Sequence, residues 1–207
     1  MAGFFVSIEG VEGVGKSSNH DFVCDFFRAR GFEVVATREP GGTPEAEKSR
    51  GVLLDAVNKL EPMTEALLMF ASRCEHVRTV IAPALAEGKV VVSDRFVDAS
   101  YAYQGGARKL GASLIGQLDE MVVGATQPDL TLLLDLDVDT GFARLDKRGE
   151  RDRIELERKE FFNDARVAYL ERARRFPDRF RVIDAAADLQ TVQASIKSTL
   201  ERLTFLC

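Results

Sequence analysis

The sequence predicts an α/β protein built on a parallel sheet with helices covering both faces. Three observations carry this. Continuous apolar runs rich in β-branched residues recur, Val90-Val91-Val92 and Leu132-Leu133-Leu134 among them. Strands read this way when both faces are buried, whereas half-exposed strands alternate. Segments of helical spacing separate these runs, as crossovers between parallel strands require. The chain is 207 residues long, with no repeats, low-complexity tracts or Pro/Gly/Ser-rich linkers, which is the size of one domain spanning 1–207.

The elements follow in order. Residues 4–9 are a short apolar strand. Residues 16–30 have helical spacing, with Phe22, Val23, Phe26 and Phe27 on one side and Gly31 as the stop. Residues 33–37 are a second strand, and 45–60 and 63–87 are helices. Residues 89–93 are the third strand and 110–124 a helix. The fourth strand, 130–136, precedes helices at 139–147 and 156–175. The fifth strand, 181–183, leads to a closing helix at 188–203.

Composition excludes several classes. With 45% hydrophobic and 29% charged residues the chain is an ordinary globule and not a disordered one. No apolar run approaches the roughly 18 residues that cross a bilayer. The opening residues lack a basic region, and Glu9 interrupts their apolar stretch, so no secretory signal is expected. The net charge of −5 argues against nucleic acid as a partner of the whole surface. Cys24, Cys74 and Cys207 are odd in number and scattered, which points to free thiols in a reducing cytoplasm. One stretch differs: residues 144–181 hold thirteen Lys/Arg against nine Asp/Glu. Such a local excess suits either an anion or a solvated helix laced with i,i+4 pairs.

The sharpest signal is Gly10-Val11-Glu12-Gly13-Val14-Gly15-Lys16-Ser17, which matches G-x-x-x-x-G-K-[ST] between a strand and a helix. Glycines let successive backbone N–H groups curl toward phosphate oxygens. The helix that follows adds its positive end. Lys16 supplies a point charge for β/γ-phosphates and Ser17 a hydroxyl for Mg²⁺. GTPases usually add N-K-x-D to read guanine. Here Asn58-Lys59 continues as Leu60-Glu61, which favours a kinase of a small acceptor.

Three further groups fall where strands end, the edge that carries ligands in this class of fold. The turn Thr37-Arg38-Glu39-Pro40-Gly41-Gly42-Thr43 follows the second strand. Asp94-Arg95 closes the third, an acid placed for Mg²⁺ and a guanidinium able to clamp phosphate through two bonds. Tyr101-Ala102-Tyr103-Gln104-Gly105-Gly106 adds aromatics and an amide that can read a base edge. His20 and His76 have no ligand partners at suitable spacing and read as structural.

Taken together, Ile8-Glu9-Gly10-Val11-Glu12-Gly13, Thr37–Thr43, Asp94-Arg95-Phe96 with Ala102-Tyr103-Gln104-Gly105, and Pro128-Asp129-Leu130-Thr131 resemble the bacterial thymidylate kinase family over nearly the whole chain. The resemblance implies a P-loop NTPase three-layer sandwich: a five-stranded parallel sheet, helices on both faces and a short mobile lid at about 144–157. It implies transfer of the γ-phosphoryl of ATP to dTMP with Mg²⁺, in a cytoplasmic homodimer. Gly10, Val11, Glu12, Gly13, Val14, Gly15, Lys16, Ser17 and Ser18 would hold ATP, and Ser17 and Asp94 the metal. Glu39 would line the acceptor pocket, and Arg50 and Arg95 would meet the dTMP phosphate. Ser100 and Gln104 would touch thymine, Arg73 would hold it, and Tyr103 would crowd the sugar 2′ position with Glu12 nearby. The family places a stacking aromatic four residues before the arginine. Here Met69 stands there and Phe70 three before, so Phe70 is the expected stacker and Met69 its alternative. The phosphate loop contains no arginine, so the lid arginines Arg153 and then Arg148 are the expected catalytic cations beside Lys16 and Arg95. A kinase of another monophosphate and an ATP-binding sensor without catalysis are the rival readings.

Overall fold

A computed structural model describes residues 3–146 and 152–203. Its strands are β1 (Phe4–Glu9), β2 (Val34–Arg38), β3 (Val90–Asp94), β4 (Leu130–Asp135) and β5 (Phe180–Asp184). They form one sheet in the order β2-β3-β1-β4-β5, every pair parallel. The interior strands β3, β1 and β4 are the three apolar runs, and they are buried along almost their full length. The edge strands β2 and β5 are more exposed, as an edge permits.

The helices are α1 (Lys16–Arg28), α2 (Pro44–Leu54), α3 (Pro62–His76), α4 (Ala82–Ala86), α5 (Val97–Ser100), α6 (Ala112–Val122), α7 (Val138–Asp146), α8 (Lys159–Arg175) and α9 (Leu189–Leu200). Their starts are legible chemistry. Pro44 and Pro62 occupy first-turn positions where no N–H is needed, and Thr43 Oγ1 accepts the Ala46 N–H at 3.0 Å. Asp188 caps α9 through the Thr191 N–H at 3.0 Å. One apolar cluster packs α1, α8 and α9 on the sheet through Phe27, Phe162, Tyr169 and Ile196. A second packs α3 and α6 on the other face through Phe70, Phe96, Ile115 and Ile81.

Three expectations shift. The helix expected over 45–60 ends at Leu54, because Asp55 Oδ1 captures the Val57 N–H and turns the chain. The helix expected over 63–87 is α3, a π-helical turn at Val77–Ile81 and α4, with Pro83 lacking a donor just beyond the turn. Tyr101–Ala107, given no element in the sequence, is a π-helical turn packed on α8. Gly106 permits that contact, since a Cβ there would lie 2.7 Å from Ala168 Cβ.

Chain order positions the site. The connection leaving β1 crosses toward β2 and the one leaving β3 crosses back toward β4. The crevice between their carboxyl ends is the switch point where such sheets bind ligands. The phosphate loop leaves β1 there and Asp94-Arg95 ends β3.

Candidate active site

The loop after β1 has the geometry its glycines require. Gly13 has φ +76°, and a Cβ on it would sit 2.3 Å from the Gly141 carbonyl oxygen, so α7 closes against the bare backbone. Gly15 at φ +85° starts α1. Lys16 Nζ donates to the carbonyls of Val11 (2.8 Å) and Gly10 (3.2 Å) and lies 4.0 Å from Glu12. Burial, with Arg95 nearby, holds this amine below the ordinary lysine range.

An open cavity of about 780 Å³ runs from this loop to the end of β3 and the face of α3. Glu12, Gly13, Gly15, Lys16, Ser17 and Ser18 line one end; Glu39, Arg50, Arg73, Asp94, Arg95, Ser100, Tyr103 and Gln104 line the rest. Gly10, Val11 and Val14, expected around ATP, do not line it. The two valines bury their side chains in the core, because a loop that binds through backbone N–H groups leaves its variable side chains free to pack.

Arg95 joins the two ends. Its Nη2 donates to Glu12 Oε1 at 2.7 Å, and its Nη1 to the Gly10 carbonyl at 3.0 Å and Tyr169 Oη at 3.2 Å. Tyr103 Oη donates to Glu12 Oε2 at 2.6 Å. Burial pushes the Glu12 carboxyl up, but Arg95 and Lys16 outweigh it and hold the group below its usual range. Arg95 itself has φ +70°, a left-handed backbone that costs a non-glycine residue about 1 kcal/mol or more. The neighbouring strand holds it there. The Arg95 N–H donates to the Ile8 carbonyl (2.9 Å), and the Phe96 N–H to Glu9 Oε1 (2.7 Å).

The acceptor end is a buried network. Arg73 Nε donates to Glu39 Oε2 at 2.7 Å, its Nη1 to Ser100 Oγ at 2.9 Å and its Nη2 to the Phe96 carbonyl. His76 Nδ1 pairs with Glu39 Oε1 at 3.0 Å and its Nε2 with Thr37 Oγ1 at 2.6 Å, so both ring nitrogens of this residue, read in the sequence as structural, have partners in the network. Gly42 must be bare, because a Cβ would meet His76 Nε2 at 2.5 Å. His20 faces the Val92 carbonyl at 3.1 Å, again as a structural group. Arg50 Nη1 donates to the Pro40 carbonyl at 2.8 Å.

Two expected residues go elsewhere. Phe70 is 2% exposed inside the second core cluster, with the Arg73 guanidinium 4.7 Å above its ring. Met69, four residues before Arg73, lines the cavity instead, because the helical turn rotates Phe70 onto the sheet. Arg153 does not face the phosphate loop. Its Nη2 donates to Glu65 Oε2 at 2.8 Å and its Nε to the Leu53 carbonyl at 2.7 Å, which keeps the buried Glu65 carboxylate from standing uncompensated. Arg148 lies outside the described residues.

Two residues that line the cavity or support its lining, Arg144 and Tyr169, were not singled out in the sequence. Arg144 of α7 lines it, donating to the carbonyls of Ala185 (3.0 Å) and Gly13 (3.4 Å), so it bridges the phosphate loop to the Asp184–Ala187 turn. Its only sequence signal was that it opens the basic stretch. Tyr169 had none; it is an aromatic on a helix until α8 brings it under Arg95.

The donors suit Mg²⁺. Asp94 Oδ1 is buried without a hydrogen-bond partner, and Ser17 lines the same cavity. Both are hard oxygen ligands, and Mg²⁺ typically takes one or two carboxylates with waters and substrate phosphates completing its shell. Among the described residues no three His, Cys, Asp or Glu side chains cluster as a metal cage.

The chain is similar to known proteins over nearly its whole length. The thymidylate kinase family model matches residues 8–196. The chain is 55% identical over 205 residues to the thymidylate kinase of Chromohalobacter salexigens, covering 97% of each. It is 50% identical over 210 residues to that of Ectopseudomonas mendocina, covering 100% of this chain and 99% of the relative. The crystal structure of thymidylate kinase from Ehrlichia chaffeensis superimposes with a TM-score of 0.78 at 28% identity, covering 97% and 99% of the two chains. With its parallel sheet, its phosphate loop at the switch point and relatives matched end to end, the chain belongs to the thymidylate kinase family.

Proposed function

We propose that the protein transfers the γ-phosphoryl group of ATP to dTMP, giving dTDP and ADP. One observation carries this beyond family membership: a single cavity holds the phosphate loop at one end and the Arg73–Ser100–Gln104 cluster at the other, with Arg95 between them. Two nucleotides bound at those ends would meet phosphate to phosphate.

The reaction needs alignment and charge neutralisation more than covalent help. An oxygen of the dTMP phosphate attacks the γ-phosphorus, and the bond to the β-bridging oxygen breaks as ADP leaves. No general base is required, because the acceptor is already an oxyanion. Lys16 would leave the Gly10 and Val11 carbonyls for the β- and γ-phosphates, and the N–H groups from Gly13 to Ser18 would take the remaining oxygens. Arg95, fixed by Glu12 and two tyrosines, would hold the dTMP phosphate, with Arg50 beside it. Tyr103 would stand against the sugar 2′ carbon, and Met69 would cover the thymine face. Mg²⁺ held by Asp94 and Ser17 would neutralise charge on the donor phosphates.

The expected lid at about 144–157 belongs to this reading. Its described flanks support it: Arg144 on one side and Asp152, Ile154 and Glu155 on the other all line the cavity. The expected homodimer belongs here too. Met63 and Leu67 stand 43% and 52% exposed on one face of α3, where an isolated subunit leaves apolar surface uncovered. Among the described residues no helix is long and apolar enough to cross a membrane; the cytoplasmic location that the resemblance implies belongs to this reading as well.

The test is ADP release with ATP, Mg²⁺ and one acceptor at a time: dTMP, dUMP, AMP, GMP, CMP, thymidine or none. Release with dTMP, and weakly with dUMP, is expected. Preference for another monophosphate would overturn the base site, and release without an acceptor would make the protein an ATPase.

A further inference from the structure

Glu65 is a carboxylate with no part in phosphate chemistry, yet it is completely buried in the first turn of α3. Donors surround both of its oxygens. Oε1 accepts from Gln104 Nε2 at 2.8 Å, Oε2 accepts from Arg153 Nη2 at 2.8 Å, and Arg108 Nε reaches both at 3.2 Å. Burial pushes its pKa up, but Arg108 and Gln104 outweigh this and hold the group below its usual range, so it is an acceptor only.

An acceptor-only neighbour decides which way an amide points. Gln104 must turn its NH₂ toward Glu65, because its carbonyl there would face a carboxylate oxygen. Its Oε1 has no partner among the described residues, and the residue lines the cavity. Ser100, four residues earlier, accepts from Arg73 Nη1 and so keeps its O–H to donate. The wall therefore offers an acceptor beside a donor.

We infer that Glu65 is a specificity-determining positioning residue: by fixing the Gln104 amide it makes the site read a base edge that presents an N–H beside a carbonyl. Thymine and uracil carry that imide edge at N3–H and O4. Cytosine presents the inverse, a bare N3 beside an amine, and meets two mismatches. Without Glu65 the amide is free to rotate and match either edge. This rests on the acceptor base binding at Gln104.

The test compares acceptor kcat/KM for dTMP, dUMP and dCMP in the wild type, Glu65→Gln, Glu65→Asp and Gln104→Ala. A neutral amide at 65 accepts or donates toward Gln104 equally well. Glu65→Gln is expected to narrow the dTMP-to-dCMP ratio about tenfold or more, a fold-change equal to one lost buried hydrogen bond. The dTMP-to-dUMP ratio, which depends on the methyl group, and the KM for ATP stay as they were. A purely structural role would lower all three acceptors together, and an unchanged dTMP-to-dCMP ratio overturns the inference. Should Glu65→Gln fail to fold between its two arginines, Glu65→Asp decides, since it keeps the charge but withdraws it from Gln104 by one methylene; the same narrowing is expected and its absence overturns the inference. Gln104→Ala separates the layers. If it leaves the ratio intact, the base is not read at Gln104 and the site assignment itself fails; if it narrows the ratio while the Glu65 variants do not, only the role of Glu65 fails.

Discussion

Glu9→Gln is the perturbation with the clearest arithmetic. Glu9 ends β1 with no exposed surface. Its Oε1 accepts the Phe96 N–H at 2.7 Å, and its Oε2 lies 2.7 Å from Tyr169 Oη. Burial, reinforced by the Asp98 charge, pushes its pKa from an ordinary 4.5 up to about 8, against the opposing pull of Tyr169 and Arg95. Folded Glu9 is thus protonated at neutral pH, while the unfolded side chain is ionised. Between pH 4.5 and 8 the native state holds one more proton than the unfolded state, so this group makes stability fall as pH rises. The slope is at most about 1.4 kcal/mol per pH unit, so the penalty grows by about 2 kcal/mol from pH 6 to pH 8 and levels off above that. Glutamine is neutral like the protonated acid: its carbonyl accepts the Phe96 N–H, and its NH₂ makes Tyr169 Oη the acceptor where Glu9 Oε2 accepts from it, an offset that is the same at both pH values. It carries no proton to lose. Urea unfolding of both proteins at pH 6 and pH 8 is the assay, with the slope m unchanged. The stability of Glu9→Gln relative to wild type should rise by about 2 kcal/mol between the two pH values. An equal spacing at both would refute the reasoning and make Glu9 an ionised carboxylate in the folded protein.

Lys16→Met should lower kcat at least about 100-fold, as loss of a phosphate cation does, while thermal unfolding moves little; near-normal turnover in a steady-state assay would remove Lys16 from the mechanism. Asp94→Asn should raise the Mg²⁺ concentration for half-maximal rate about tenfold or more with little change in Tm, because the orphaned Oδ1 holds no bond in the fold; an unchanged Mg²⁺ titration would place the metal elsewhere. Arg153→Ala should destabilise the protein by about 3–5 kcal/mol by leaving Glu65 short of a partner, measured by denaturant titration; intact stability with a collapsed kcat would return Arg153 to the transferring phosphate.

The sheet was legible because its signal is local. Three unbroken apolar strands, a glycine-rich turn and helical spacing each sit within a few residues, and the five strands appear within two residues of where they were expected. Much of the site was legible for the same reason. Lys16, Ser17, Asp94 and Arg95 belong to short motifs at strand ends, where chain topology alone brings them together. What stayed hidden depends on contacts distant in sequence. Phe70 and Met69 are adjacent, and only the rotation of α3 against the sheet decides which one meets the cavity. Arg153 carries a family-like motif, yet its partner is 88 residues away. Tyr169 lies 74 residues from the arginine it supports.

These distant contacts share a pattern that explains why so many acids sit around a site meant for anions. Glu9 caps the peptide after Arg95, Glu12 holds the Arg95 guanidinium, Glu39 holds Arg73, and Glu65 holds Gln104. A bare cluster of cations would repel itself before any phosphate arrived. Each carboxylate instead fixes one donor at a chosen angle, so less ordering remains to be done when nucleotides bind. Glu9 remains outside this electrostatic role at neutral pH because its burial is complete and no arginine touches it, so it holds its proton and acts through geometry alone. The active site is thereby built from two kinds of acid, three that set the direction of charged or polar donors and one that sets the backbone beneath them.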